Sequence, residues 1–145
     1  MRDFRSILNI IGLLICIEAI AMLIPMFFDL YYGNDDWLQF FYSSLITFFI
    51  GIILYFSFRK KNIKLGIRQA FLLTISSWLV ISIFGAIPFV YSSSLLSYTD
   101  AFFESVSGIT TTGATVINDL ENLSQGILIW RSLLQWFGGI GIIVL

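Results

Sequence analysis

The residues best suited to chemistry form the run Ser107-Gly108-Ile109-Thr110-Thr111-Thr112-Gly113-Ala114-Thr115, polar, bracketed by glycine and set between segments hydrophobic enough for lipid. Irregular polar backbone is tolerated at membrane depth only where protein buries it or where it lines a watery cavity, so the run points to a pore. Extended threonine backbone can turn successive carbonyl oxygens toward an axis, where they replace the waters of a dehydrated alkali ion. Gly113 suits the positive φ that such a strand demands and that a side chain makes costly. The plainer reading is a turn in a structural re-entrant loop, and on these residues alone both stay open.

Other chemistries find few residues to use. Histidine is absent, and the single Cys16 sits inside an apolar run, which argues against a disulfide, a zinc site or a thiol nucleophile and for a small packed side chain. No glycine-rich loop ends in Gly-Lys-Ser/Thr, so the threonine run is not a nucleotide cradle. Apart from Glu18 the carboxylates fall at loop or helix-end positions, they form no close intramembrane pair, and enzyme chemistry is not expected. With eight basic and nine acidic residues the net charge is −1, which leaves no nucleic-acid footprint.

The elements that must position the threonine run are long apolar segments. Hydrophobic residues make up 58% of the chain and charged residues 12%, with a mean hydropathy of +0.92, which predicts an all-α membrane protein. A first span is expected over residues 7–28, interrupted only by Asn9 and Glu18 and reaching about 33 Å, enough for a hydrocarbon core of roughly 30 Å. Arg2 and Arg5 precede it, but the run is too long for a signal peptide and lacks a small-x-small cleavage site. Further spans are expected over 37–58, 71–91 with Pro88 near its far end, and 127–145. Arg2 and Arg5, and after the second span Arg59, Lys60, Lys61, Lys64 and Arg68, put both ends of the first hairpin in the cytoplasm by the positive-inside rule. The acids Asp29, Asp35 and Asp36 then mark an external loop.

Between the third and fourth spans the chain must enter and leave from the same outer face. Thr99 is the expected N-cap of a short helix over 100–107, ended by Gly108. Its eight residues cover about 12 Å and can dip into the membrane without crossing it. The negative end of its dipole then lies mid-bilayer and favours a cation. Span, half-helix, filter loop and second span make one membrane-pore-membrane unit of the potassium-channel type.

At this point the chain resembles a known family. The stretches Asp100-Ala101-Phe102-Phe103-Glu104-Ser105-Val106-Ser107-Gly108-Ile109-Thr110-Thr111-Thr112-Gly113-Ala114-Thr115 and Ile129-Trp130-Arg131-Ser132-Leu133-Leu134-Gln135-Trp136-Phe137-Gly138-Gly139-Ile140-Gly141-Ile142-Ile143-Val144-Leu145 look like the N-terminal portion of the TrkH potassium uptake family, in the superfamily that also holds the Ktr and plant HKT transporters. The resemblance implies an N-terminal transmembrane hairpin over 1–65 and a first pore repeat over 66–145, with outer helix, pore helix, filter and an incomplete inner helix. It implies a potassium filter at Thr110, Thr111, Thr112, Gly113 and Ala114, with the Thr111 and Thr112 carbonyls as direct contacts and Gly113 as the selectivity position; a serine there goes with sodium preference in plant relatives. The family's pore joins four such units, so a chain with one is expected to be a truncated piece supplying a quarter of a filter. A homodimer of pore subunits, a cytoplasmic nucleotide-binding partner of the TrkA type, and residence in a bacterial inner membrane with a cytoplasmic N-terminus are implied too.

Several readings remain in pairs. Arg131 either snorkels to the outer face or is held by an acid near the pore entrance, with Glu104 the first candidate and Asp119 or Glu121 behind it; Asp100 and Glu104 would set the electrostatics of the mouth. Glu18 lies near mid-membrane, where a charge costs at least ~2.5 kcal/mol, so protonation or a hydrogen bond to a neighbouring helix is expected. Gly138, Gly139 and Gly141 serve either close helix packing or a gating hinge. The whole is a potassium-conducting subunit or, alternatively, a non-conducting remnant or membrane assembly protein.

Overall fold

The computed structural model describes residues 2–59, 66–92 and 96–144, and all its regular elements are helical. Lys60, Lys61 and Lys64, three of the expected topology markers, lie outside the described residues. The first apolar run folds as α1 (Arg2–Ala21) and α2 (Leu23–Tyr32), joined at Met22. The joint follows from Pro25, whose ring has no amide hydrogen and collides with the carbonyl four residues back, that of Ala21. The apolar stretch extends over Phe4–Tyr32, 29 residues, past the expected limit at Phe28. It continues because Asp29, expected in a loop, is wholly buried and hydrogen-bonded within the fold; the helix stops at Gly33, with φ +73°.

The second span is α3 (Trp37–Ser57) and the third is α4 (Ile67–Gly85) followed by α5 (Ile87–Tyr91), together 25 residues over Ile67–Tyr91. Pro88 divides the latter pair for the reason Pro25 divides the former. Three stretches, Phe4–Tyr32, Trp37–Ser57 and Ile67–Tyr91, are thus long and apolar enough to cross a membrane among the described residues. The last two keep most of their surface outward, with Phe41, Phe48, Phe49, Phe71 and Ile75 exposed, as lipid-facing helices do. On the inner side α1 packs against α3 and α4. Gly12 and Gly51 let α1 and α3 approach so closely that a Cβ on Gly51 would stand 2.7 Å from Cys16 Sγ, which places that thiol in helix packing.

The remaining elements are α6 (Tyr98–Ile109), a 3-10 turn over Leu120–Asn122 and α7 (Gln125–Val144). The half-helix α6 is longer than expected. It begins at Ser97, whose Oγ accepts the Asp100 amide at 3.2 Å and donates to Asp100 Oδ2 at 2.7 Å, so Ser97 and not Thr99 is the cap. It also runs through Gly108 to Ile109, because Gly108 is a contact and not a stop: a Cβ there would sit 2.9 Å from Leu134 Cβ. Twelve residues give about 18 Å, still well short of a span. The core that seats α6 gathers Met22, Phe40, Phe89, Ile127, Trp130 and Leu134, all fully buried, from α3, α5, α7 and the α1–α2 joint.

Candidate functional site

The strand after α6 is built by turning its amides inward. The Thr110 amide donates to Val106 O at 2.9 Å, that of Thr111 to Gly108 O at 2.9 Å, and those of Thr112 and Gly113 to Ser107 O at 3.0 and 3.3 Å. The donors of four successive residues are therefore spent on the carbonyls that end the helix, which closes α6 in the manner its unpaired C-terminal oxygens require. Among the described residues no hydrogen bond is accepted by the carbonyls of Thr110, Thr111, Thr112 or Gly113. Thr111 through Val116 are exposed. A ribbon with its donors tied down and its acceptors free suits a cation and repels an anion.

Two residues make the ribbon turn. Gly113 has φ +74°, the conformation expected of it, and Thr111 has φ +58°. For a β-branched residue the left-handed region is an outlier, and such strain persists only where surrounding bonds over-determine it. Here they are the amide bonds to Ser107 and Gly108 and the threonine hydroxyls, with Thr110 Oγ1 donating to Val106 O at 2.8 Å and lying 2.9 Å from Thr112 Oγ1. Ala114 stands apart, since its carbonyl accepts the Ser107 hydroxyl at 2.6 Å. Ser107 drew no attention in the sequence beyond its membership of the polar run, because nothing local announces a bond seven residues ahead.

Beyond Ala114 the strand is held by Glu104, which is 2% exposed. Its Oε1 accepts the Thr115 hydroxyl and the Val116 amide, each at 2.6 Å, and its Oε2 accepts Arg131 Nε at 3.0 Å. One carboxylate thus joins α6, the outgoing strand and α7. Arg131, 15% exposed in its side chain, meets the first of the acids expected to hold it. Asp119 instead accepts from Asn122 Nδ2 at 2.7 Å, and the side chain of Glu121 lies outside the described residues. Asp100 sits in the first turn of α6, where a negative charge complements the helix dipole.

The placement of α7 completes the site. Trp130 Nε1 donates to Gly85 O at 2.9 Å, a carbonyl left open at the α4–α5 joint because the Phe89 amide, four residues on, donates to Ala86 O instead. Gly138 lies against the end of α6 so closely that a Cβ there would meet the Ile109 carbonyl oxygen, whereas at Gly139 and Gly141 it would meet nothing within 4 Å. Close packing is therefore the role visible for Gly138. Glu18 is 2% exposed, and among the described residues neither of its oxygens has a hydrogen-bond partner; the buried Ser105 hydroxyl beside Gly85 has none either. Of the two readings of Glu18, protonation or a bond to a neighbouring helix, no such bond is seen among the described residues. Burying a carboxyl without donors is costly, so Glu18→Met is expected to raise the melting temperature in detergent by several degrees. A fall of similar size in a thermal-shift assay would show that Glu18 has a stabilising partner.

Comparison with known proteins places these features in a wider group. A family model described as TrkH, cation transport protein, matches residues 38–145. The Trk system potassium uptake protein TrkH of Escherichia coli K12 is 43% identical over 143 residues, covering 98% of this chain and 30% of that protein. An uncharacterized cation transporter of Methanocaldococcus jannaschii is 40% identical over 144 residues, 99% of this chain and 30% of its own length. Among solved structures, the crystal structure of the potassium transporter TrkH from Vibrio parahaemolyticus superposes with a TM-score of 0.92 at 42% identity, over 97% of this chain and 30% of that one. The chain spans about 30% of the length of the curated relatives it matches.

Proposed function

The chain belongs to the TrkH family of cation transport proteins, and we propose that it forms one wall of a potassium pathway across a bacterial inner membrane. The observation that carries this reading is the ribbon after α6, with the amides of Thr110 to Gly113 bonded back to the helix and their carbonyls left unbonded. In a pore those carbonyls replace water around a dehydrated potassium ion, with Thr111 and Thr112 in direct contact, Thr110 and Ala114 flanking them, and Gly113 setting the bore. The ion moves down its gradient, drawn by an inside-negative potential worth about 2.3 kcal/mol per charge per 100 mV.

In this reading residues 1–65 are a transmembrane hairpin with a cytoplasmic N-terminus and residues 66–145 are a pore repeat. The exposed strand needs opposing walls, which the family's fourfold arrangement supplies from three further repeats. A homodimer of pore subunits and a cytoplasmic nucleotide-binding partner of the TrkA type complete the proposed assembly. Asp100 and Glu104 add negative charge near the entrance, partly offset by Arg131.

The test is growth of a potassium-uptake-deficient bacterium at low potassium, carrying the protein as its genome encodes it. Rescue is expected, and failure with normal membrane abundance would overturn the reading. Gly113→Ser is expected to lower the ratio of potassium to sodium uptake about tenfold. Two causes act together: a side chain at φ +74° costs roughly 1–2 kcal/mol, and the hydroxyl narrows the strand's approach to the ion. An unchanged uptake ratio in this variant, measured with both ions, would remove Gly113 from the selectivity position. Expression of residues 1–145 alone separates a conducting chain from the alternative of a non-conducting remnant or assembly protein.

A further inference from the structure

Asp29 is the acid that the sequence marks as an external loop residue and that the structure buries completely. From α2 it reaches the start of α7, 97 residues away in sequence, where its Oδ1 accepts the Gly126 amide at 2.7 Å. A carboxylate at this position satisfies a donor that the helix cannot satisfy itself and complements the dipole. Asp29 is held in turn by Asn34, whose Nδ2 donates to Oδ1 at 3.0 Å and whose amide donates to the Asp29 carbonyl at 2.9 Å. The contact admits only glycine at 126, because a Cβ there would overlap Asp29 Oδ2 and come within 2.9 Å of Phe40 Cε2. Phe40 packs edge-on against Trp130, with ring centroids 6.4 Å apart, so the outer end of the hairpin and the first turns of α7 form one seat.

We propose that Asp29 is a positioning residue for the filter strand, acting from the N-terminal hairpin through α7. Arg131 stands five residues beyond Gly126, about 7.5 Å along the helix. Its bond to Glu104 is 3.0 Å long, and a slide of α7 by about 1 Å takes it out of hydrogen-bond range. Glu104 then loses the cation that fixes it while it holds Thr115 and Val116. The chain of contact runs from Asp29 to Gly126, along α7 to Arg131, through Glu104 and into the strand. Its effect on ion selection rests on the permeation reading above; its effect on the strand itself does not.

The experiment compares the protein as its genome encodes it with Asp29→Ala and Asp29→Asn, purified in detergent, by amide hydrogen exchange. In Asp29→Ala, exchange is expected to rise about tenfold both in the first turn of α7 and at Val116, and Asp29→Asn, which keeps an acceptor oxygen, is expected to restore most of the protection. Faster exchange at residues 125–128 with Val116 unchanged would overturn the proposal, reducing Asp29 to a local cap. Should Asp29→Ala be too unstable to purify, Asp29→Asn decides by the residual change it leaves: exchange raised at Val116 in step with residues 125–128 supports the proposal, and exchange raised at 125–128 with Val116 unchanged overturns it. In cells the potassium-to-sodium uptake ratio of Asp29→Ala is expected to fall about fivefold at equal membrane abundance, and Asp29→Ala with Arg131→Gln is expected to fall no further than Arg131→Gln alone. Independent, multiplying losses would sink the shared path. If the unsubstituted protein transports no potassium while the exchange result holds, the permeation reading fails and the positioning role stands.

Discussion

Glu104→Ala is expected to abolish potassium uptake while the protein still reaches the membrane. The substitution removes three hydrogen bonds at once, from the Thr115 hydroxyl, the Val116 amide and Arg131 Nε. Breaking one side of a buried ion pair costs about 3–5 kcal/mol, because the abandoned charge stays desolvated. An amide left unpaired adds about 1–3 kcal/mol wherever water cannot reach it. At 1.4 kcal/mol per decade, even the low end depletes the correctly seated strand about 100-fold. Glu104→Gln keeps an acceptor for Val116 and loses the charge, so an intermediate defect is expected. Arg131→Met combined with Glu104→Gln is expected to do less damage than the two single losses summed, with a coupling of about 1–3 kcal/mol. Uptake by Glu104→Ala vesicles within twofold of the parent would show that the strand holds without this carboxylate.

The second large effect is expected at Gly138. An added methyl meets the Ile109 carbonyl oxygen, a backbone atom that cannot rotate aside, so α7 and the end of α6 must separate. Overpacking a well-formed contact costs about 1–3 kcal/mol, and here the displaced carbonyl belongs to the residue just before Thr110. Gly138→Ala is therefore expected to lower both thermal stability and uptake, whereas Gly139→Ala, with open space in this chain, controls for the change in helix propensity. Equal melting temperatures for the two variants would remove the contact from the argument. A hinge role predicts the opposite pattern, with gating altered and stability kept.

Both predictions rest on contacts that the sequence supplied in unequal measure. The pairing of Arg131 with Glu104 was one option among three acids, and only geometry selects it. Asp29 was misplaced for a plain reason: an acid after an apolar run reads as a loop until the amide it caps is visible, and that amide lies 97 residues away. Trp130 stands in the sequence only as part of the family resemblance, and the fold alone brings its indole to the Gly85 carbonyl, 45 residues away. The half-helix was legible in existence and approximate place, but its ends shifted by a few residues because Ser97 caps as well as Thr99 would and Gly108 is needed for packing. The left-handed Thr111 carries no local signal at all, since no residue but glycine advertises that conformation.

By itself the sequence determined the lipid setting, the long apolar helices, the short helix between them and the glycine at the turn of the threonine strand. Hydrophobic runs, proline and glycine act over a few residues, so their consequences are written where they stand. Tertiary structure alone decided which carbonyls stay free, which acid holds Arg131, and that the hairpin grips α7. Those outcomes depend on distances between segments tens of residues apart, and a hydrogen bond exists only once the fold has brought donor and acceptor within about 3 Å.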